Sequence, residues 1–148
     1  MIPLIYIAGP FRGPTPLDVR RNVEAARDLG MAVAQAGAYP MIPHTMTADF
    51  DKQLSDEFWL TGTLEMLKRC DAIVSTANWE QSKGAVAEIN WAVDHDMPWM
   101  VYTDMGVHGG LRKDRLREFV AQLLRSSADK HAYLRMLRAG LAGEGGIR

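Results

Sequence analysis

A single cysteine, Cys70, leaves no partner for an intrachain disulfide and too few thiols for a multi-cysteine zinc site. It is expected to be a small core side chain. No apolar run approaches the ~20 residues that a bilayer span requires, so no membrane segment is expected. The N-terminus has no basic flank ahead of an apolar stretch, and a cytoplasmic location is the expectation. Charge of neither sign dominates: 17 Lys+Arg stand against 18 Asp+Glu, a net charge of −1. That balance gives no reason to expect binding to a nucleic-acid polymer, which requires a basic face, although it leaves room for a local basic patch. His44, His95, His108 and His131 show no ligand spacing, so neither a metal nor another cofactor is expected.

What is present is an ordinary globular composition, 47% apolar and 24% charged. The length of 148 residues fits one domain, expected over 1–139, with 140–148 (GLAGEGGIR) as a frayed tail. Ile2 to Ala8 is a continuous apolar run of strand length, the pattern of a strand covered on both faces. Thr15, Pro16 and Asp18 form a helix start. Val19, Val23, Ala26, Gly30 and Val33 then recur at helical spacing until Gly37 ends the helix. Ala38 to Ile42 reads as a second strand, and Pro43 to Lys52, with His44, as loop. Asp56 to Arg69 is helical, with Trp59, Thr63, Met66 and Cys70 on one face and Leu60, Leu64 and Leu67 on the adjoining one. Asp71 to Ser75 is a strand, Ala85 to Asp96 a helix, Pro98 to Tyr102 a strand and Arg112 to Leu124 a helix, with a further helix over Asp129 to Arg138.

Alternating strands and helices predict an α/β, flavodoxin-like open parallel sheet of four to five strands. The expected order is 2-1-3-4, with helices on both faces. Its switch point lies between strands 1 and 3, where ligands bind outside the strands' carboxyl ends. The loops brought there are Gly9 to Pro16 and Thr76 to Lys83. In the first, glycines let backbone N–H groups approach an anion, and Arg12 adds a forked donor suited to phosphate; the alternative is a turn with a solvated arginine. In the second, Ser82 and Gly84 precede a helix, as a phosphate site or as an ordinary N-cap. Glu88 lies about one turn into that helix, where its ionised form is favoured and Tyr6 on strand 1 can reach it. A carboxylate so placed can act at the anomeric carbon of a sugar, or simply face solvent. Asp71 is a substrate contact or a cap at the strand start. Trp79 is a stacking partner for a nucleobase or a core residue. Lys83 pairs with phosphate or points to water.

Three segments, IYIAGPFRG (Ile5 to Gly13), CDAIV (Cys70 to Val74) and WEQSKGAVAEINWA (Trp79 to Ala92), together resemble the nucleoside 2-deoxyribosyltransferase superfamily over roughly residues 4–103. The resemblance implies cleavage of the N-glycosidic bond of a nucleoside or nucleotide. It makes Glu88 the catalytic glutamate, Tyr6 the tyrosine that orients it, and Gly9, Arg12, Gly13, Ser82 and Gly84 residues of the ligand loops; Phe11, Asp71 and Trp79 are further candidate substrate contacts. Transferases of the superfamily typically carry aspartate at the position of Ser82, whereas its nucleotide hydrolases carry a phosphate-binding serine. A hydrolase releasing free base and sugar 5-phosphate from a nucleoside 5′-monophosphate is therefore expected, with base exchange as the alternative. The resemblance also implies a homodimer, and apolar side chains around Met97, Trp99 and Met100 agree with one. One position departs from the pattern: Thr63 stands where the superfamily has an aspartate that assists the leaving base. Either another group assists, or the base departs easily, or the protein binds nucleotide without turnover.

Overall fold

The computed structural model describes residues 2–50, 53–103 and 113–128. Four strands, β1 (Leu4–Ala8), β2 (Tyr39–Met41), β3 (Ala72–Thr76) and β4 (Trp99–Tyr102), form one sheet in the order β2-β1-β3-β4. All neighbours are parallel, with Tyr6 opposite Met41 on one side and Ile73 on the other. The helices are α1 (Pro16–Gln35), α2 (Pro43–Met46), α3 (Asp56–Leu67), α4 (Lys83–Asp94) and α5 (113–128). This is the expected α/β, Rossmann-like architecture and strand order. The helix expected over 129–138 and the tail lie outside the described residues. Among the described residues no helix is long and apolar enough to cross a membrane, and no group of three or more His, Cys, Asp or Glu gathers as metal ligands.

The period of two along a strand decides which residue faces which layer. Ile5 and Ile7 of β1, with Ala72 and Val74 of β3, pack with Ala26, Leu29 and Val33 of α1 and with Leu116 and Val120 of α5. Tyr6 and Ala8, with Ile73, face the other way, among Leu67, Cys70, Ala85, Ile89 and Ala92. Tyr6 is thereby turned toward α3 and α4, and its ring is 1% exposed.

The caps follow from the sequence. Thr15 and Asp18 form a reciprocal capping box at α1, Thr15 Oγ1 accepting from Asp18 N at 3.2 Å and Asp18 Oδ2 accepting from Thr15 N at 3.0 Å. Beyond α1, Gly37 takes φ +101°, a value that favours glycine. The segment expected as loop after β2 is partly helical: Pro43, preset for a first helical position, opens α2, and a 3₁₀ turn spans Ala48–Phe50. Helix α4 begins two residues before the expected Ala85, because Ser82 caps it and accepts from Ala85 N at 3.2 Å. On α3, Leu60 is 53% exposed.

Asp71 is not at the site. It lies just before β3, at the amino end of the strands, where its Oδ2 accepts from Leu4 N at 2.7 Å and its own N–H donates to Leu4 O at 2.8 Å. It clips the starts of β1 and β3 together, which is the capping alternative open to it from sequence. Asp71→Ala is expected to lower unfolding stability by about 1 kcal/mol, one exposed hydrogen bond, without changing the affinity of a ligand held at the opposite end of the strands. Paired urea titrations and binding isotherms measure both.

Candidate functional site

The carboxyl ends of β1 and β3 point two loops at each other. From β1 the chain runs through Gly9 to the start of α1, and from β3 through a 3₁₀ turn (Trp79–Gln81) to Ser82 and α4. Helices α2 and α3 stand opposite. Together they enclose a cavity of about 440 Å³, within the range of small-molecule sites. Tyr6, Gly9, Phe11, Arg12, Ser82, Gly84 and Glu88 all line it.

The first loop is held from several directions. Asn22 on α1 donates from Nδ2 to Phe11 O at 3.3 Å and to Arg12 O at 3.0 Å. His44 Nε2 lies 2.9 Å from Gly9 O; with a carbonyl as partner, that nitrogen carries the proton. A Cβ on Gly9 would come within 2.5 Å of Thr76 Oγ1, a side chain only 8% exposed. Gly9→Ala is therefore expected to cost about 1–3 kcal/mol, the usual penalty of overpacking, and to displace the loop. A lowered thermal midpoint together with weakened ligand binding in the cavity is the expected pair of results.

At the centre, Tyr6 Oη donates to Glu88 Oε1 at 2.5 Å. Burial drives the Glu88 carboxyl up to about 7, while hydrogen bonds from Tyr6 and Thr63 pull the other way. Tyr6 is held well above its ordinary value, first by burial and then by the Glu88 charge, so it stays protonated and remains a donor. The Thr63 hydroxyl has one proton and two acceptors in reach, Leu60 O at 3.1 Å and the Glu88 carboxylate. Thr63 thus touches the central pair as a neutral hydroxyl.

At the amino end of α4 the Ser82 hydroxyl accepts from Ala85 N and keeps its own proton to donate. The N–H groups of Lys83 and Gly84, at the first two positions of the helix, have no intrahelical acceptor by geometry. With the helix dipole they make a place for an anion, roughly one helical turn from Glu88. Arg12, expected at this anion, instead pairs with Asp56 through Nη2 and Oδ1 at 2.6 Å, with both side chains more than half exposed.

Three expected contacts do not line the cavity. Besides Asp71, Gly13 packs against Asp18 at the entry to α1. Trp79 sets its ring edge-on to Trp99, centroids 6.5 Å apart, and joins the α3–α4 core, its core alternative from sequence. Conversely, His44, Asp56, Trp59 and Thr47 line the cavity without having been expected as contacts. The signal available for His44 was its place directly after strand 2, at the same end of the sheet as the two ligand loops.

A family described as a domain of unknown function, DUF7768, matches residues 3–102. The chain belongs to that family. The DUF7768 match runs from the start of β1 to the end of β4 and so contains every cavity residue named above. No curated protein matches the chain. A solved structure of a 2-deoxyribosyltransferase from Bacillus psychrosaccharolyticus, described as a biocatalyst for synthesis of antiviral and antitumoral nucleosides, superposes with a TM-score of 0.51 at 20% identity. The superposition covers 70% of this chain and 74% of that one. What the DUF7768 chain shares with it is the fold.

Proposed function

We propose that this protein is an N-glycosidase of the nucleoside 2-deoxyribosyltransferase superfamily, hydrolysing a nucleoside 5′-monophosphate, in ribo or 2′-deoxy form, to free base and sugar 5-phosphate. The observation that carries the proposal is the 2.5 Å Tyr6–Glu88 pair, placed inside the cavity about one turn from the Ser82-capped end of α4. The 5′-phosphate sits at Ser82, Lys83 and Gly84. That places the anomeric carbon over Glu88, whose Oε1 is fixed by Tyr6, leaving Oε2 to face the sugar. The ionised carboxylate attacks C1′ or stabilises its oxocarbenium form, and water completes the reaction. The phosphate is the specificity handle: a serine hydroxyl and two N–H groups attract a dianion where an aspartate repels it.

The fold shared with a 2-deoxyribosyltransferase makes base exchange the second course open to the same intermediate. Incubation with a nucleoside monophosphate and a second free base separates the two. Release of base with no new nucleotide is expected, and a new nucleotide defeats the hydrolase assignment. Thr63 favours a third role, nucleotide binding without turnover. Tight binding with no base release from any nucleoside monophosphate would establish that role.

We also propose a homodimer. Along the segment from α2 through α3 Met46, Phe50, Leu54, Phe58 and Leu60 are each more than half exposed, and Trp99 is 44% exposed on the edge strand. Apolar side chains grouped in this way mark association surfaces. Light scattering at micromolar concentration is expected to give twice the chain mass.

A further inference from the structure

Glu88 is a part-buried carboxylate that no ion pair among the described residues balances. The influences on it are burial and two hydroxyls, Tyr6 and Thr63; no positive charge of the protein figures among them. Of the cations on the cavity wall, Arg12 is paired with Asp56, and Lys83 stands exposed at the first turn of α4. A buried charge without a partner is costly, and a site that keeps one is complementary to a ligand of opposite sign.

The wall left for the base is formed by Phe11, His44, Trp59 and Thr63. None of its groups is acidic enough to protonate a leaving base: the Trp59 Nε1–H, buried without a hydrogen-bond partner among the described residues, can donate a hydrogen bond to a base but does not give up its proton. Thr63 is a neutral hydroxyl. His44 is buried, which lowers its pKa and keeps the ring neutral, and its Nε2 proton is committed to Gly9 O. Asp56 is ion-paired. A neutral purine or pyrimidine leaves as an anion unless it is protonated, and general acid catalysis of that kind is worth ~10²–10⁴ in rate. Phe11 and Trp59 instead put aromatic rings on that wall, and such rings attract a flat cation laid against them.

We propose that the substrate brings its own positive charge: a pyridinium N-glycoside 5′-phosphate, whose base leaves without being protonated. This deepens the N-glycosidase assignment above and rests on it. The C1′–N1 bond breaks and its electron pair stays on N1, turning the pyridinium into a neutral pyridine. Glu88 forms the bond to C1′, or holds the cation there, and the oxygen of a water replaces it. The water proton passes through Glu88 to solvent. Cationic substrate and water thus give a neutral pyridine base, sugar 5-phosphate and one proton. Thr63 needs no carboxylate replacement in this chemistry, because the leaving group needs no acid.

The test compares nicotinamide mononucleotide with AMP, dAMP, dGMP and UMP as substrates of the full chain, read by base release. The expected kcat/KM is about 100-fold or more higher for the pyridinium nucleotide, the worth of the missing acid. Thr63→Asp, which supplies an acid, is expected to raise neutral-base cleavage about tenfold relative to pyridinium cleavage. Neutral-base nucleotides cleaved as fast as the pyridinium one by the wild-type chain overturn the inference and leave the N-glycosidase assignment standing. Base release from neither class overturns both. The wild-type comparison decides the matter even if the Thr63 variant fails to fold.

Discussion

Glu88→Gln is expected to abolish the proposed base release, by on the order of 10³-fold or more, while nucleotide affinity stays within a few-fold. The amide keeps the size of the side chain and an oxygen to accept from Tyr6, but it is no nucleophile and cannot balance an oxocarbenium charge. Affinity survives because the phosphate is bound elsewhere, at the amino end of α4. Loss of affinity in parallel with rate would instead make Glu88 a binding group. A second consequence runs through stability. The Glu88 carboxyl is raised from 4.5 to about 7 in the folded protein, chiefly by burial. Between those values the native state holds a proton that the unfolded chain has released, so stability falls as pH rises through the interval. The stabilisation is full at the acid end and gone above about pH 7, a loss of about 3 kcal/mol from this group. Glu88→Gln has no such proton and lacks this part of the pH dependence. It is therefore expected to be more stable than wild type at pH 8 and no more stable at pH 5, measured by urea midpoints at both. Base release by the wild type follows the opposite course, falling as pH drops below about 7 because the attacking form is the carboxylate. A group that weakens the fold where it is chemically competent is what an active site predicts and a structural acid does not.

The fold was open to inspection from sequence because its signals are local and repeat. Ile2 to Ala8, with helices recurring between short strands, leaves few arrangements other than a parallel sheet. The order of the strands then names the site, since only the ends of β1 and β3 flank the reversal of direction. Tyr6 and Glu88 are 82 residues apart, yet each is placed by a local period: Tyr6 by alternation along β1, Glu88 by its distance from the Ser82 cap. Asp71 and Trp79 were not settled, because a side chain just outside an element can point along the strand or away from it. Asp71 found a backbone donor on Leu4, and Trp79 found Trp99. The α2 and α3 wall was missed for another reason. His44, Trp59 and Asp56 come to the cavity through the packing of one helix on another layer, and no spacing within their own segments reports that. The Arg12–Asp56 pair is of the same kind, two exposed charges joined across 44 residues.

Ser82→Asp separates the phosphate from everything else in the site. Aspartate is as good an N-cap as serine, so α4 keeps its bond to Ala85 N and its stability; a negative charge at a helix start is itself favourable. The thermal midpoint is expected to hold or rise slightly. Nucleotide binding is expected to collapse, because a carboxylate now stands where the 5′-phosphate is held, and the one hydroxyl donor is gone. Like charges about 4 Å apart repel by about 4 kcal/mol at the effective dielectric of a protein surface, and screening by water and salt brings the expected loss nearer ~100-fold in affinity. A nucleoside has no phosphate to repel and offers a 5′-hydroxyl that can donate to the new carboxylate. Its affinity is expected to hold or improve, so the preference between the two ligand classes inverts. The comparison also isolates the helix end from Arg12. If Arg12 leaves Asp56 to carry the phosphate, the aspartate variant keeps most of its nucleotide affinity and Arg12→Ala loses it. Retention of nucleotide binding in the Ser82 variant, with a native thermal midpoint, would move the phosphate to the rim beside Arg12 and take Glu88 out of line with the anomeric carbon.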